Sequence, residues 1–292
     1  MIIIKLRGGL GNQLFQYALG RKLAETLNTA LKIDLSLLHE RTNMTPREYK
    51  LNIFAINATI ATKQDERKVL GLKLLHPIKR RFWKLGLDLF HWNYFRETSF
   101  EFHPELLQHK GSMVLEGYWQ SEDYFKDIRP LLLKELTVKE SFVSSEIRLQ
   151  SQHLQQHESI AIHVRRGDYI ANPTVNQLFG ICTLEYYDNA INWMKQHIQH
   201  PTFYIFSDDT DWCKTHFKMP SNEINFITGN KDYEDFLLMS SCRHQIIANS
   251  SFSWWAAWLN QNQNKHIIAP KNWFVSSKLN TSHVVPAEWI RF

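Results

Sequence analysis

The sequence contains few cysteines, no long apolar run and no strong excess of charge of one sign. Cys182, Cys213 and Cys242 lie far apart and form no Cys-x-x-Cys pair, which argues against a structural zinc site and a disulfide scaffold. No apolar stretch approaches the ~18 residues of a membrane-spanning helix. The apolar start is cut short by Gly8 and Gly9, so it does not resemble a signal peptide. We therefore expect a cytoplasmic protein in a reducing compartment.

Composition narrows the function classes only partly. The 292 residues carry a net charge of +5 and are 43% apolar, enough for an ordinary core. This charge fits an anionic small ligand, an anionic membrane surface or nucleic acid. Because no RNA- or DNA-binding motif accompanies it, a nucleic-acid partner is not expected, although a non-enzymatic basic RNA-binding protein stays as an alternative. The aromatic residues, which include ten Trp, favour core packing over a sugar-facing cleft.

The N-terminal part predicts a β-α-β unit. Residues 2–6 have the pattern of a buried strand, and residues 31–35 that of a second strand. Between them a helix is expected from Gln13 onward, because Phe15, Leu19 and Leu23 recur every four residues. A further helix should start at Thr62, and residues 113–116 should form a strand.

The C-terminal part alternates strand-like and helix-like patterns. Strands are predicted at residues 159–164, 203–206, 224–228, 245–248 and 266–269. Helices are predicted at residues 184–198, 211–217, 233–241 and 252–260. Such alternation predicts an α/β fold with a parallel sheet covered on both faces, and ligands at the carboxyl ends of the strands. We expect two domains, residues 1–150 and 151–292.

A charged cluster ends the strand at residues 159–164. It comprises His163, Arg165, Arg166 and Asp168. Adjacent arginines suit a diphosphate, because a guanidinium group directs two donors toward paired oxygens. The alternative is a structural ion pair between an arginine and Asp168 that closes a turn at Gly167.

A second motif opens the last predicted helix. Residues 249–252 place small hydroxyl side chains after a strand, and the N–H groups at a helix start can bind an anion. Simple N-capping by a serine is the alternative, and the two readings are compatible. The same helix carries three tryptophans that we expect in the core: Trp254, Trp255 and Trp258.

Two further motifs are less specific. Residues 7–13 are rich in glycine, which lets backbone approach a ligand closely, but they match neither the Gly-x-Gly-x-x-Gly nor the Walker pattern. A tight strand-to-helix turn would explain them equally. Asp209 and Asp211 spell Asp-x-Asp, a metal signature in one group of sugar-nucleotide enzymes. Acidic residues are also common at helix starts, and Arg165 and Arg166 could neutralise a diphosphate without a metal.

Together these motifs resemble glycosyltransferase family 11, the α-1,2-fucosyltransferases. The matching segments are residues 8–17, 116–121, 163–169, 206–209 and 248–258, in the family's order. Leu14 stands where methionine is expected, a volume-conserving difference. The resemblance implies a GT-B-type fold of two Rossmann-like domains with parallel sheets. It also implies a mainly acceptor-side N-terminal domain with the glycine loop, a C-terminal domain that binds GDP-fucose, and no required metal or other cofactor.

The implied reaction is inverting transfer of L-fucose from GDP-β-L-fucose to the 2-hydroxyl of a terminal β-galactoside. By resemblance, Arg165 stabilises the leaving phosphate, and Asp235 holds the guanine with Glu234 as its rival. The implied donor-binding residues are Gly11, Asn12, Arg165, Arg166, Asp235, Ser250, Ser251 and Phe252. The expected acceptor-binding residues are Glu116, Tyr118 and Gln120. For the base, Asp168 is placed ahead of His163 and Glu116.

Other readings stay open. One is a GDP-sugar transferase of another linkage or acceptor, and another is a phosphotransferase, although the kinase partner motifs are absent. Residues 76–92 interleave basic and apolar side chains, with Ile78, Phe82, Leu85 and Leu89 on one helical stripe. That stripe predicts packing on its own domain or peripheral contact with the inner face of the cytoplasmic membrane, where a lipid-linked acceptor would lie.

Overall fold

The computed structural model describes residues 1–38, 47–70, 93–167, 180–275 and 279–292. They form two compact units, Met1–Leu136 and Thr137–Phe292. The division expected at residue 150 falls inside a helix, Ser145–Gln155, which packs against a later helix of the second unit. Ser144 caps this helix, and its hydroxyl oxygen accepts a hydrogen bond from the Ile147 N–H at 3.2 Å.

A parallel five-stranded sheet forms the centre of the first unit. Its strands are β1 (Ile2–Lys5), β2 (Leu31–Asp34), β3 (Thr59–Ile60), β4 (Tyr94–Arg96) and β5 (Met113–Glu116). They pair in the order β3-β2-β1-β5-β4, and every pair is parallel. The expected β-α-β opening and the strand at residues 113–116 are confirmed. The sequence missed β3 and β4 because two and three residues are too few to show a period.

The described helices of this unit are α1 (Leu10–Thr26), α2 (Lys63–Leu70) and α3 (Arg129–Glu135). The first begins at Leu10 rather than at Gln13, because the extended residue Gly9 ends the loop and takes the N-cap position. Since α1 is buried along most of its length, its polar side chains need internal partners. Tyr17 and Arg21 of α1 both donate hydrogen bonds to the Glu135 carboxylate of α3, and so tie the two helices together.

The second unit has a parallel six-stranded sheet. Its strands are β6 (Ser159–Val164), β7 (Thr202–Ser207), β8 (Ile224–Ile227), β9 (His244–Ile246), β10 (Ile267–Ala269) and β11 (Ile290–Arg291). They pair in the order β11-β10-β9-β6-β7-β8. The five expected strands are confirmed, with some ends moved by one or two residues. The two-residue strand β11 was not expected.

The described helices of this unit are α4 (Ser145–Gln155), α5 (Leu184–His197), α6 (Thr210–His216), α7 (Asp232–Ser241) and α8 (Ser251–Leu259). The apolar stripe of α5, with Met194 at its end, packs on β6 and β7 in one buried cluster. The tryptophans of α8 are buried, which confirms their core role: Trp254, Trp255 and Trp258. Trp254 also donates from Nε1 to the Val284 carbonyl at 2.7 Å.

Among the described helices, none combines the length and apolar character needed to cross a membrane. The amphipathic stripe expected at residues 76–92 falls within a segment outside the described residues.

Candidate functional site

Two arginines follow the central strand of the second sheet. Because Val164 at the end of β6 pairs with Ser207 at the end of β7, the segments that follow these two strands leave the sheet side by side. The Arg165 Nη1 atom lies 2.8 Å from Asp208 Oδ2. The other oxygen, Oδ1, accepts a hydrogen bond from the Arg166 N–H at 2.9 Å. Asp208 therefore contacts both arginines at the carboxyl edge of the sheet, where parallel α/β sheets bind ligands.

The side chain of Arg166 is fixed from two sides. Its Nε atom lies 3.1 Å from Asp209 Oδ2, and its guanidinium carbon lies 3.8 Å from the centroid of the Trp212 ring. Asp209 also accepts a hydrogen bond from the Trp212 N–H at 3.2 Å and caps α6. The Arg166 side chain is 17% exposed and that of Arg165 is 28% exposed, so Arg165 is the more accessible of the two to a ligand.

Asp168, the expected ion-pair partner and candidate base, lies outside the described residues. Its catalytic role stays a prediction. The carboxylates that the structure does place on the arginines belong to Asp208 and Asp209. Asp211, the other half of the Asp-x-Asp pattern, is exposed in the first turn of α6. Within the described ranges, no three His, Cys, Asp or Glu side chains are grouped so as to hold a metal ion.

The imidazole of His163 is buried at the end of β6. Its ring lies 5.7 Å from the Phe252 ring, and its backbone carbonyl accepts a hydrogen bond from the Tyr187 hydroxyl at 3.0 Å. Burial, and then the charge of Arg165, lowers the pKa of His163 to about 3. The imidazole is therefore neutral near pH 7. Its buried Nδ1 atom has no hydrogen-bond partner in the part of the chain that the structure describes.

The start of α8 lies at the same edge of the sheet. Since β9 pairs in parallel with β6, with Ile246 opposite Ile162, the residues after β9 follow to that edge. Ser250 is the N-cap of α8, and its hydroxyl oxygen accepts a hydrogen bond from the Phe252 N–H at 3.4 Å. The N-capping reading is confirmed, and Ser251 begins the helix. Anion binding by the same helix start is compatible with it.

Two acidic residues begin α7. Glu234 is used by the helix itself, because its Oε2 atom accepts a hydrogen bond from the N-cap N–H at 2.7 Å. Asp235 accepts one from the Asn230 amide at 3.0 Å, and burial raises the pKa of its carboxyl to about 6. The next side chain, Phe236, lies 5.4 Å from the Phe252 ring. Asp235 thus lies one residue away from a contact with the start of α8.

The glycine loop of the first unit packs closely on α1. Gly8 has a φ angle of 79°, and a Cβ atom there would lie 2.5 Å from Asn12 Nδ2. Asn12 Oδ1 accepts a hydrogen bond from Gln120 Nε2 at 2.8 Å. Gln16 Nε2 donates to the Gly117 carbonyl at 2.9 Å. The loop after β1 and the turn after β5 are thereby joined, which brings two predicted site residues, Asn12 and Gln120, into contact.

Glu116, a candidate acceptor residue and base, is engaged at the end of β5. Its carboxylate accepts a hydrogen bond from the Tyr94 hydroxyl and lies 3.2 Å from Arg96 Nε. Both partners stand on the neighbouring strand β4. Gly11, a candidate donor residue, is buried in the first turn of α1. The assigned roles of Glu116 and Gly11 stay predictions.

Tyr118, a further candidate acceptor residue, is partly buried. Its ring stacks on Phe100 with centroids 6.2 Å apart, and the Arg7 guanidinium carbon lies 5.3 Å from its centroid. The Tyr118 N–H donates to Glu97 Oε2 at 2.6 Å. Sequence reasoning missed Glu97 because no motif surrounds it.

Sequence reasoning also gave Asp208 no role, although it lies in one of the segments that carried the family resemblance. A usable signal was present: Asp208 follows a predicted strand, as do Arg165 and Arg166. Parallel neighbours bring such residues to one sheet edge. Which strands are neighbours is a tertiary fact that the pattern alone does not contain.

The described residues thus form two parallel α/β sheets, with arginines and a helix start at the carboxyl edge of the second sheet, as in a GT-B-type fold. A variant of FUT1 from Arabidopsis thaliana, solved in complex with GDP, shares this fold with a TM-score of 0.51 at 10% identity, over 98% of this chain and 74% of that one. The chain belongs to glycosyl transferase family 11, whose model matches residues 1–292.

Three relatives illustrate the family. The chain is 33% identical to an alpha-1,2-colitosyltransferase of Escherichia coli over 100% of this chain and 98% of the relative. It is 31% identical to the O-antigen biosynthesis glycosyltransferase WbnK of Escherichia coli, over 98% of both chains. It is 25% identical to human galactoside alpha-(1,2)-fucosyltransferase 1 over 50% of this chain and 43% of the relative.

Proposed function

We propose that this enzyme transfers L-fucose from GDP-β-L-fucose to the 2-hydroxyl of a terminal β-galactoside, with inversion, to form an α-1,2-fucosyl linkage. The observation that carries the proposal is the accessible Arg165 at the end of β6, in a family whose relatives include named α-1,2-transferases. A guanidinium at a sheet edge suits the diphosphate of a sugar nucleotide.

The donor is assigned to the second unit. Arg165 and the start of α8 at Ser250 and Ser251 would contact the diphosphate, with Arg166 held beside them. Asp235 would accept hydrogen bonds from the guanine, because the partner of its carboxylate is a neutral amide, Asn230, and not a cation. The rival Glu234 caps its own helix, which supports the choice of Asp235.

In the proposed reaction the acceptor oxygen attacks the anomeric carbon from the face opposite GDP. The new carbon–oxygen bond forms as the bond to the β-phosphate oxygen breaks, and GDP leaves with the electron pair. Negative charge grows on that phosphate in the transition state, so a preorganised guanidinium is most valuable there. No metal is required in this scheme, because Arg165 and the helix start supply the opposing charge.

The acceptor proton must pass to a base. Asp168 is the first candidate, by its place after the two arginines in the sequence. Glu116 is bound to Tyr94 and Arg96, and a His163 imidazole with a pKa of about 3 is a weak base. These observations favour Asp168.

A second donor is favoured by one specific observation. The full-length relative at 33% identity is an alpha-1,2-colitosyltransferase, and colitose differs from fucose by the absence of the 3-hydroxyl. GDP-colitose is therefore the alternative donor. The name of WbnK supports an acceptor in O-antigen or other surface-glycan biosynthesis, free or lipid-linked.

A donor and acceptor panel tests the proposal. The enzyme is incubated with GDP-fucose, GDP-colitose, GDP-mannose or UDP-galactose and with β-galactosides or other glycosides. GDP release is measured, and the product linkage is read by NMR. We expect GDP-fucose with a β-galactoside to give the fastest turnover and an α-1,2 product. Faster turnover with GDP-colitose would select the alternative donor, and a different linkage would refute the α-1,2 assignment.

A further inference from the structure

The turn after β5 has an unusual backbone. Trp119 has a φ angle of 57°, in the left-handed region that bulky residues rarely adopt. Two positions earlier, a Cβ atom on Gly117 would lie 2.5 Å from the Glu97 Cβ atom. The turn therefore fits closely around Glu97, and only glycine leaves room at position 117.

The Glu97 carboxylate binds two consecutive N–H groups of this turn. Oε2 accepts from the Tyr118 N–H at 2.6 Å, and Oε1 accepts from the Trp119 N–H at 3.0 Å. Successive backbone N–H groups that converge in this way form an anion-binding nest. Hydrogen bonds to an ionised acceptor are stronger than neutral ones. They offset the unfavourable conformation of Trp119.

The same turn carries buried polar atoms without partners. Trp119 Nε1 and Gln120 Oε1 have no hydrogen-bond partner among the described residues, although Trp119 is only 2% and Gln120 only 8% exposed. Gln120 Nε2 is bound to Asn12, so the side chain is held while its oxygen stays available. Since buried polar atoms are normally paired, these atoms suit a ligand rich in hydroxyl groups.

We propose that Glu97 is a positioning residue of the acceptor subsite. Its two hydrogen bonds hold the turn that carries Tyr118 and Gln120, so that Gln120 Oε1 can accept a hydrogen bond from a sugar hydroxyl. This inference rests on the proposed function, because it takes the acceptor to be a galactoside bound by the first unit.

The hydrogen bonds between the Glu97 carboxylate and this turn should depend on pH. Burial raises the pKa of Glu97, while its two N–H bonds and the charges of His103 and Arg7 oppose the rise. Tyr124 is also electrostatically coupled to this carboxylate. Because the net shift is upward, protonation begins at a higher pH than in an exposed glutamate. A protonated carboxyl loses acceptor capacity, so acceptor binding should weaken as the pH falls.

The test compares Glu97→Gln with Glu48→Gln, the same chemical change at an exposed residue of the same unit. Glutamine has one acceptor oxygen for two N–H groups. We expect Glu97→Gln to raise the acceptor KM roughly tenfold or more, the scale of one lost charge-assisted hydrogen bond. The kcat at saturating acceptor and the Kd for GDP should change much less. The wild-type acceptor KM should rise at acid pH, and this rise should disappear in Glu97→Gln.

Hydrogen exchange gives a readout that does not need the reaction. The Tyr118 and Trp119 amides should be protected in the wild type and exchange faster in Glu97→Gln. Wild-type transfer with an unchanged acceptor KM and pH profile in Glu97→Gln would overturn the inference. If Glu97→Gln fails to fold, a wild-type acceptor KM that stays flat at acid pH overturns it. If the wild type transfers no sugar to any acceptor, the proposed function is refuted. Hydrogen exchange then still tests Glu97, and Tyr118 and Trp119 amides that exchange equally fast in the wild type and in Glu97→Gln would overturn its role.

Discussion

The Asp208 carboxylate lies 2.8 Å from the guanidinium group of Arg165. Gly167 leaves room for the Asp208 carboxylate, because a Cβ atom at that position would lie only 2.9 Å from Asp208 Oδ2. Asp208 thus holds Arg165 in place before a ligand binds. A diphosphate that takes the same guanidinium must share it with Asp208 or displace that carboxylate. Asp208 therefore orients Arg165 and also competes with the diphosphate of the donor for its guanidinium group.

We expect Asp208→Asn to lower kcat/KM. The amide keeps an oxygen for one of the two contacts but removes the charge that orients Arg165, at a cost of about 1.5–3 kcal/mol in transition-state stabilisation. Steady-state kinetics measures the loss, with Asp211→Asn as the control because Asp211 is exposed on the adjacent helix. Equal losses in the two variants would show that Asp208 has no specific role.

Arg165 itself should matter more. Arg165→Ala and Arg165→Lys should lose about 2–4 kcal/mol of transition-state stabilisation, the scale for one preorganised donor to a developing charge. The melting temperature should fall little, since the ion pair with Asp208 is partly exposed. Arg148→Ala, at an exposed ion pair with Glu140, is the matched control and should keep full activity. Near-normal turnover in Arg165→Ala would leave the arginine with a structural role only.

The affinity for GDP should depend on pH through Asp235. With its pKa raised to about 6, this carboxyl is ionised above that pH and neutral below it. The paired N1 and N2 donors of guanine favour an ionised acceptor, so the Kd for GDP should rise as the pH falls through about 6. Calorimetry should also show that GDP binds more tightly than UDP or ADP.

The variant Asp235→Asn should bind GDP weakly and without this pH dependence, whereas Asp232→Asn on the exposed side of the same helix start should match the wild type. Because the folded-state pKa lies above the ordinary value, the fold stabilises the protonated form, so Asp235→Asn should raise stability at pH 7. Equal affinities for GDP and UDP would refute the guanine assignment.

Activity should survive removal of metal ions. The two arginines can balance the diphosphate charge, and the Asp209 carboxylate is already occupied by Arg166 and the Trp212 N–H. Dialysis against EDTA should therefore leave turnover unchanged. Loss of activity that manganese restores would contradict this and would support a metal at Asp209 and Asp211.

Membrane association is tested by sedimentation with liposomes of varied anionic lipid content, at low and high salt. If the basic residues of segment 76–92 contact lipid, the fraction of enzyme that pellets should increase with anionic lipid content and decrease with salt. Each basic residue near the surface should contribute about 1 kcal/mol to the free energy of binding. Replacing Lys79 and Lys84, two of the basic residues in this segment, with glutamine should then reduce pelleting, with Lys214→Gln on α6 as the control. Pelleting that does not change with lipid charge or salt would indicate that the apolar stripe of residues 76–92 packs on the protein.

Much of the sheet architecture could be read from local pattern. β5 and β6 match the predicted residues because each is an apolar run buried on both faces of a parallel sheet. The short edge strands β3 and β11, with two residues each, carry no period and could not be predicted. The two compact units divide between Leu136 and Thr137, and a capped helix passes through residue 150.

The sequence by itself determined the α/β class, the order of elements and the arginine pair at the end of β6, because these depend on the spacing of apolar and charged residues along the chain. Only the tertiary structure decided which partner each group has. Asp208 reaches Arg166 across 42 residues because β6 and β7 are register neighbours. Likewise, the low pKa of His163 and the raised pKa of Asp235 arise from burial. The burial of these polar side chains depends on packing between distant segments, so the local sequence pattern does not show it.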